Sequence, residues 1–257
     1  MYREIKILRQ HGIQYVRDLR NQPVSDLFRG RPVISREITT PEIEKVSSLC
    51  PAGAIDRESG SIDLGLCVFC RECEFCLKEK IRFTNDYRIA ASRREDLVIR
   101  PGAESPLRLN GDVIRREIRK IYRRSLKLRQ VSAGGDNSCE MELNASGNVN
   151  FDMGRHGIEF TASPRHADGI VITGPVSANM AAALRLTYEA VPDPKVIILV
   201  GTDAISGGMY AGSPAVERSF IEEHHIDLYV TGNPAHPLTF INGILNLLKK
   251  KRQTGKK

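Results

Sequence analysis

The carboxy-terminal half of the chain alternates short apolar runs with segments of helical periodicity. The predicted strands lie at 157–161, 169–173, 195–200 and 226–230, and the predicted helices at 179–190, 214–223 and 237–250. The run at 195–200 is almost continuously apolar, which is typical of a strand buried on both faces of a parallel sheet. The alternation predicts an α/β domain over 131–248, whose open parallel sheet presents its site at the carboxyl ends of the strands.

The amino-terminal half has shorter and more mixed elements. They are predicted as a strand at 28–34, a helix at 40–49 and a hairpin that joins 54–55 to 61–63. The helix is predicted to begin with Thr40 as its N-cap and Pro41 in its first turn. The segment 78–100 is polar and is predicted to be irregular. These elements indicate an α+β domain over 28–100.

Residues 1–27 mix charged and apolar positions. A partial helical face is predicted from the apolar positions Ile5, Leu8, Ile13, Val16 and Leu19. Gly12 and Pro23 argue against a single long helix. We interpret the segment as an arm that packs against another subunit, with a frayed terminus as an equally consistent alternative.

A linker with Pro101, Gly102 and Pro106 is followed by a predicted basic helix over 110–128, so that 101–130 separates the two domains. Its apolar face is predicted to consist of Ile114, Ile118, Ile121 and Tyr122, and its basic positions are Arg115, Arg116, Arg119, Lys120, Arg123, Arg124 and Lys127. This pattern fits a solvated face, docking of 112–128 on an acidic subunit or an anionic membrane surface, or phosphate contacts with nucleic acid. No interleaved aromatic residues offer a stacking platform for bases. A basic tail is predicted over 249–257.

Composition narrows the classes of protein. The chain has 257 residues, a hydrophobic fraction of 41% and a formal net charge of +7, which suits a globular protein of about two domains with a basic excess. No run of about 18 apolar residues occurs, so no membrane-spanning helix is predicted. The residues after Met1 do not resemble a secretory core. Six cysteines in such a chain indicate a reducing compartment rather than a disulfide framework.

The cysteines carry the clearest chemical signal. Cys67, Cys70 and Cys73 follow one another at a two-residue spacing, and Cys50 precedes a proline. In the bacterial ferredoxin pattern C-x2-C-x2-C-x3-C-P, the last cysteine binds the other cluster of a two-cluster domain. The counterparts that a second cluster would need are replaced by Thr40, Ile43, Val46 and Leu77. The remaining set predicts one [4Fe-4S] cluster held by Cys50, Cys67, Cys70 and Cys73, in a domain that resembles a bacterial-type ferredoxin.

Two features leave alternatives open. Cys76 lies one residue short of the ferredoxin position, and a spare buried thiol is the commoner fate of such a cysteine. Cys67 to Cys76 also forms two C-x2-C pairs, which a zinc ion could use. Zinc ribbons usually have a longer loop between their pairs, and zinc would not account for Cys50 and Pro51.

Residues 110–248 resemble the small electron-transfer subunit of energy-converting [NiFe] hydrogenases, formate hydrogenlyase and respiratory complex I. The matching motifs lie at 133–142, 157–176, 188–192, 194–195, 200–201 and 206–208. The resemblance implies a flavodoxin-like α/β fold after the ferredoxin-like α+β domain. It also implies a second [4Fe-4S] site at strand-end loops, where the family has four cysteines.

At those four positions this chain has Asp136, Cys139, Asp203 and Asn233. Oxygen ligands are poor substitutes for thiolates in such clusters, so the fold is predicted to be kept and this cluster to be absent. The four residues are then polar fillers of a loop pocket, or alternatively a hard-cation or acid–base site. In the family, groups at the positions of Arg165, His166, Glu140 and Glu142 can carry protons between subunits. His224 and His225 are predicted to end a helix without a further role.

The resemblance implies a non-catalytic iron–sulfur subunit of a membrane-associated complex, either hydrogenase-like or complex I-like. The expected partners are a large subunit and the membrane-arm subunits, at the cytoplasmic face of the membrane. The alternatives are a scaffold or regulatory subunit with zinc in the cysteine loop, and a basic nucleic-acid-binding protein.

Overall fold

A computed structural model describes residues 2–12 and 14–249. Its α-helices are α1 (Tyr2–His11), α2 (Thr40–Leu49), α3 (Glu72–Cys76), α4 (Arg116–Ile121), α5 (Ser138–Ser146), α6 (Ala178–Ala190), α7 (Thr202–Ser206), α8 (Ser219–Glu223) and α9 (Pro237–Leu247). Its strands are β1 (Pro32–Ile34), β2 (Ile62–Asp63), β3 (Ile81–Phe83), β4 (Ala90–Ala91), β5 (Val98–Ile99), β6 (Leu126–Ser132), β7 (Ile158–Phe160), β8 (Gly169–Thr173), β9 (Val196–Val200) and β10 (Leu228–Val230).

A six-stranded sheet forms the centre of the carboxy-terminal half, in the order β4-β10-β9-β8-β6-β7. Neighbours from β10 to β7 pair in parallel, and β4 pairs antiparallel at the β10 edge. Every residue of β8 and β9 is buried, because helices and loops cover both faces of these central strands. The predicted open parallel α/β sheet is confirmed, with one antiparallel edge strand that the sequence did not predict.

The prediction of a single helix over 110–128 is wrong. Only α4 (Arg116–Ile121) is helical, and the chain then enters β6. Leu126 and Leu128 are fully buried while Lys127 between them is exposed, which is the two-residue period of a strand. Ile121, expected on the buried face, is 54% exposed.

The basic residues of this region also lie differently from the prediction. Arg115 bonds the Asp227 carboxylate through Nε and Nη2, at 2.9 and 2.8 Å. Arg119 Nε donates to the Leu247 carbonyl at 2.9 Å. The prediction that 112–128 docks on an acidic subunit, a membrane surface or nucleic acid assumed one continuous helix, which the structure does not have. Arg116, Lys120, Arg123 and Arg124 are nevertheless exposed, so the docking itself stays a prediction.

Smaller corrections concern element bounds. The first strand is limited to β1, and 78–100 contains β3, β4 and β5 instead of being irregular. The helix predicted at 214–223 is α8 alone, because Val216 forms a bridge with Ser177. The last helix ends at Leu247. Ile13 and the tail residues 250–257 lie outside the described residues.

The amino-terminal half contains two small antiparallel sheets, β1 with β3 and β2 with β5. The predicted hairpin is present, since Asp63 donates its N–H to the Ala54 carbonyl at 2.8 Å. Helix α2 has the predicted bounds, but its N-cap is Thr39, which forms a capping box with Glu42. Ile43, Val46 and Leu49 of α2 were expected to pack in the interior; Ile43 and Val46 are buried, whereas Leu49 is 50% exposed.

The two halves share one packed interior. Buried side chains of the small sheets and of one face of the six-stranded sheet form a continuous apolar cluster. Residues 16–19 of the arm pack on this chain itself: Asn242 Nδ2 donates to the Leu19 carbonyl at 2.6 Å, and Val16 N–H donates to the Asn150 carbonyl at 2.8 Å. Helix α1 has no buried residue. In residues 2–12 and 14–249, no helix has both the length and the apolarity needed to cross a bilayer.

Candidate functional site

The four cysteines predicted as ligands line one pocket. Cys50 caps the end of α2, Cys67 and Cys70 come from the loop before α3, and Cys73 lies in α3. The remaining lining is mostly apolar and includes Ala54, Ile55, Ile62 and Phe83. Within the described part of the chain, no three His, Cys, Asp or Glu side chains are arranged as a site for a metal ion. The thiols therefore share a pocket without forming a closed coordination set.

The cysteine loop is held in an unusual backbone path. Phe69 and Arg71 have φ values of 54° and 70°, a left-handed conformation that L residues adopt only when their surroundings impose it. Arg29 Nη1 donates to the Phe69 carbonyl at 2.8 Å, and Cys67 N–H donates to the Asp63 carbonyl at 2.9 Å. These bonds fix both ends of the turn that presents Cys67 and Cys70.

Asp63 is itself fixed by a bidentate ion pair. Arg94 Nη1 and Nη2 donate to its two carboxylate oxygens at 2.7 and 2.6 Å. Gly65 lies against this guanidinium, since a Cβ there would stand 2.6 Å from Arg94 Cζ. The residue type at 65 is therefore set by close packing at the entrance to the cysteine loop.

The electrostatics of the pocket oppose bare thiolates. Burial, with a smaller contribution from the neighbouring cysteines, raises the pKa of the Cys67 and Cys73 thiols to about 12. A backbone amide partly offsets this effect at Cys67, whose Sγ accepts the Phe69 N–H at 3.4 Å. The Ala54 N–H likewise donates to Cys50 Sγ, at 3.2 Å. A cationic metal centre would supply the missing positive charge, since metal binding releases the thiol protons. Four thiols in an apolar pocket with amide donors fit the requirements of an iron–sulfur cluster.

Cys76 stands apart from this set. It ends α3, is half-buried and packs on the apolar core. The lining of the cysteine pocket does not include it. Substitution of Cys76 can therefore serve as a control for substitution of the four cysteines that line the pocket.

Asp136, Cys139, Asp203 and Asn233 also meet in one cavity. They follow the carboxyl ends of the parallel strands, and Glu140, Thr202 and several glycines complete the lining. Gly201 allows the close approach of Cys139, since a Cβ at 201 would lie 2.5 Å from Cys139 Sγ. The four positions therefore lie together at the strand ends, as the resemblance implies. Asp136, Asp203 and Asn233 occupy three of them and Cys139 the fourth.

This second cavity is acidic around its single thiol. Burial raises the pKa of Asp203, and the Asp136 carboxylate raises it further. The side chain and backbone N–H of Ser138 bond Asp136 at 2.6 and 2.9 Å and lower its pKa. Burial, with a smaller contribution from the nearby carboxylates, raises the pKa of Cys139 to about 12. One thiol among carboxylates does not fit an iron–sulfur cluster, which needs several thiolates.

The other predicted residues have simpler surroundings. Glu140 lines the second cavity, where its carboxylate accepts from Ser132 and Thr173 hydroxyls, both at 2.6 Å. Arg165 and His166 are exposed and do not line it. Burial raises the pKa of Glu142, which lies outside the lining as well.

His224 ends α8, as predicted. It stacks on Phe220 with ring centroids 4.2 Å apart. His225 lies beside it and is exposed.

Sequence reasoning missed Thr202, the residue that joins the two sites. Thr202 lines the second cavity, and its buried hydroxyl donates to the Cys67 carbonyl at 2.9 Å. The two sites also flank a further cavity, which is lined by Val68 and Phe69 on one side and by Asn233 on the other. Thr202 and Cys67 are 135 positions apart, so no local sequence signal could have found their contact.

The carboxy-terminal half matches a known family. Residues 137–247 match the family model described as NADH ubiquinone oxidoreductase, 20 Kd subunit. The probable membrane-bound hydrogenase subunit mbhJ of Pyrococcus furiosus is 32% identical over 131 residues, which are 51% of this chain and 78% of the relative.

The chain is also similar to two further proteins. A subunit of the NADH-quinone oxidoreductase of Heliobacterium modesticaldum is 42% identical over 113 residues, 44% of this chain and 65% of that protein. A chain of the membrane-bound sulfane sulfur reductase, an archaeal respiratory membrane complex, is 26% identical with a TM-score of 0.45, over 52% of this chain and 73% of that one. On the extent and identity of the match to the Pyrococcus furiosus subunit, together with the family model, the chain belongs to the family of the NADH ubiquinone oxidoreductase 20 Kd subunit.

Proposed function

We propose that the chain is an iron–sulfur subunit of a membrane-associated oxidoreductase complex, with one [4Fe-4S] cluster held by Cys50, Cys67, Cys70 and Cys73. The single observation that carries this proposal is that these four thiols line one apolar pocket. When bound, such a cluster supplies a centre that accepts and releases one electron. The proposal includes a ferredoxin-like domain over 28–100, before the family domain over 131–248.

The protein's own residues would prepare the pocket for a charged centre. The side chains of Ile55, Ile62 and Phe83 give the pocket an apolar wall beside the thiols. The amide N–H groups of Ala54 and Phe69 donate to sulfur, which favours the charged state of the ligands and tunes the potential of such sites. Arg29 and the Asp63–Arg94 pair hold the loop in its left-handed path.

The second cavity would carry no electron centre. Its carboxylates surround one thiol, so the α/β domain is proposed to hold a large subunit and the membrane-arm subunits together. The relatives support membership in such a complex, because two of them are named as subunits of a membrane-bound hydrogenase and of an NADH-quinone oxidoreductase. The proposed position is peripheral, at the cytoplasmic face of the membrane.

The proposal is tested by electron paramagnetic resonance (EPR) on the anaerobically purified full chain after reduction. We expect a low-temperature signal of a reduced [4Fe-4S] centre in the wild type. Cys67→Ser should lose most of this signal, because one of the four thiols is removed. Cys76→Ser is the matched control and should keep it, since Cys76 does not line the pocket. Equal loss in both variants, or no signal in the wild type, would refute the proposal.

A further inference from the structure

We propose that Thr202 is a positioning residue for the cysteine site, through which the α/β domain holds Cys67 and adjusts the ease of reduction of the bound centre. The inference rests on the proposed function, because it takes Cys67 as a ligand. Thr202 belongs to the family domain, whereas Cys67 belongs to the cysteine loop. Their contact is therefore a direct link between the two halves of the chain.

The hydroxyl of Thr202 can be assigned to Cys67. Thr202 is 1% exposed, and its Oγ1 lies 2.9 Å from the Cys67 carbonyl oxygen and 3.3 Å from that of Gly232. A hydroxyl has a single proton to donate. The Gly232 carbonyl already accepts the backbone N–H of Thr202 at 3.0 Å. The shorter contact, to Cys67, is consequently the one that needs this proton.

The donor is held at the end of a central strand of the sheet. Thr202 begins α7 directly after β9, which lies between β8 and β10 in the six-stranded sheet. Gly201, with a φ of 91°, makes the turn and donates its N–H to the Val230 carbonyl at 2.9 Å. Because Thr202 is β-branched, its side chain has few rotamers available. The position of the hydroxyl beside the cysteine loop is therefore set by the sheet.

This hydroxyl should favour the reduced state of the site. The proton of the O–H group points toward the Cys67 peptide, so the positive end of its dipole faces the cysteine loop. Reduction adds one negative charge to the bound centre. A fixed donor near the ligands stabilises that added charge, as hydrogen bonds around such clusters generally do. Removing the donor should make the centre harder to reduce.

The test compares Thr202→Val with Thr202→Ser. Valine has nearly the same shape without the hydroxyl, and serine restores the donor. In EPR-monitored redox titrations, we expect the ratio of reduced to oxidised centre at a fixed potential to fall about threefold to tenfold in Thr202→Val, the equivalent of one net hydrogen bond. Thr202→Ser should return the ratio to near the wild-type value. An unchanged ratio in Thr202→Val would overturn the inference.

Thr231 offers a matched control. Its hydroxyl is equally buried and donates to the Ile89 carbonyl at 2.7 Å, so it also links the sheet to the amino-terminal half. Ile89 is not part of the cysteine pocket lining. Thr231→Val should lower stability without changing the ratio of reduced to oxidised centre. A similar fall in Thr231→Val would show that general destabilisation, and not Thr202, controls the site.

If a Thr202 variant does not retain the bound centre, a second measurement still tests the inference. In the cluster-free full chain, alkylation of Cys67 is followed by peptide mass spectrometry. Cys67 is 8% exposed, and we expect it to react several-fold faster in Thr202→Val than in the wild type, Thr202→Ser or Thr231→Val. Equal rates in all four proteins would contradict the inference. Absence of a cluster from the wild type would refute the proposed function alone, because the alkylation rates would still test Thr202.

Discussion

At the scale of single residues, burial and charge separate the two sites. The cysteine pocket gathers four thiols among apolar side chains and amide donors. The second cavity gathers Asp136, Asp203 and Glu140 around Cys139. Four thiols that line one pocket would gain from a shared cationic centre, whereas a single thiol among carboxylates has too few soft ligands to hold one.

The Asp203 carboxylate should destabilise the fold at neutral pH if the second cavity holds no cation. Burial and the charge of Asp136 raise its pKa above the ordinary 3.8. The protonated Asp203 side chain therefore leaves the fold at its full stability below pH 3.8. That stability is partly lost as the pH rises through the raised pKa and the buried carboxyl ionises. Asp203→Asn should raise the midpoint of thermal unfolding at pH 7, and the difference from the wild type should vanish near pH 3.

Asp136→Asn is the control of opposite sign. The Ser138 bonds lower the pKa of Asp136, so its stabilising contribution is present at neutral pH and is lost as the pH falls. This variant should unfold at a slightly lower temperature at pH 7. A lower midpoint in Asp203→Asn as well would indicate that Asp203 serves a bound cation.

The residue pattern revealed the cysteine set but not its supports. Cys50 and the repeat from Cys67 to Cys73 are local in sequence, so their spacing predicted a shared site. The contacts of Thr202 with Cys67 and of Arg29 with Phe69 join residues that are 135 and 40 positions apart. Such contacts depend on tertiary packing, which periodicity does not encode.

At the scale of elements, strong periodicity predicted α2, β8, β9 and α6 closely, and competition between two periods misled the prediction of β6. Ile114, Ile118 and Tyr122 fit a helix and are buried. The segment beyond them was assigned to the same helix, although Leu126 and Leu128 alternate with polar residues. Whether such a segment forms a helix or a strand depends on its neighbours in the fold. Here β6 is a strand because it pairs with β7 on one side and β8 on the other.

The ion pair that replaces the predicted basic face should be important for stability. The Asp227 side chain is 2% exposed and is paired with Arg115. Arg115→Ala would leave this buried carboxylate without its guanidinium partner and with the Ile197 N–H, at 2.9 Å, as a remaining donor. We therefore expect a loss of about 3 kcal/mol in the free energy of unfolding, the lower end for broken buried pairs. Urea denaturation measures this change.

Lys127→Ala provides the matched comparison. Lys127 pairs with Glu159, and both side chains are about half exposed. Its loss should cost less than about 1 kcal/mol in the same assay. If both variants lost the same small amount, Arg115 would belong to a solvated face after all.

At the scale of the whole molecule, the two halves should fold together. Strand β4, from the amino-terminal half, covers the edge of β10 through pairs of Ala91 with Tyr229 and Ala90 with Val230. Deleting residues 1–100 would uncover that edge and part of the shared apolar cluster. We expect the remaining chain to aggregate in size-exclusion chromatography, because unpaired edges of sheets self-associate.

Deletion of residues 1–11 is the corresponding control. Helix α1 has no buried residue, so this shorter deletion should leave a chain with the elution volume of a folded protein. A monomeric, folded fragment 101–257 would instead show that the α/β domain is independent of the amino-terminal half.

The central claim is that the chain holds one iron–sulfur cluster, in the amino-terminal pocket, while the second cavity, with Cys139 as its single thiol, holds none. Iron, acid-labile sulfide and zinc should be quantified together in the anaerobically purified full chain. The account predicts about four iron and four sulfide per chain, the content of one [4Fe-4S] cluster. About eight of each, or zinc without iron, would contradict it.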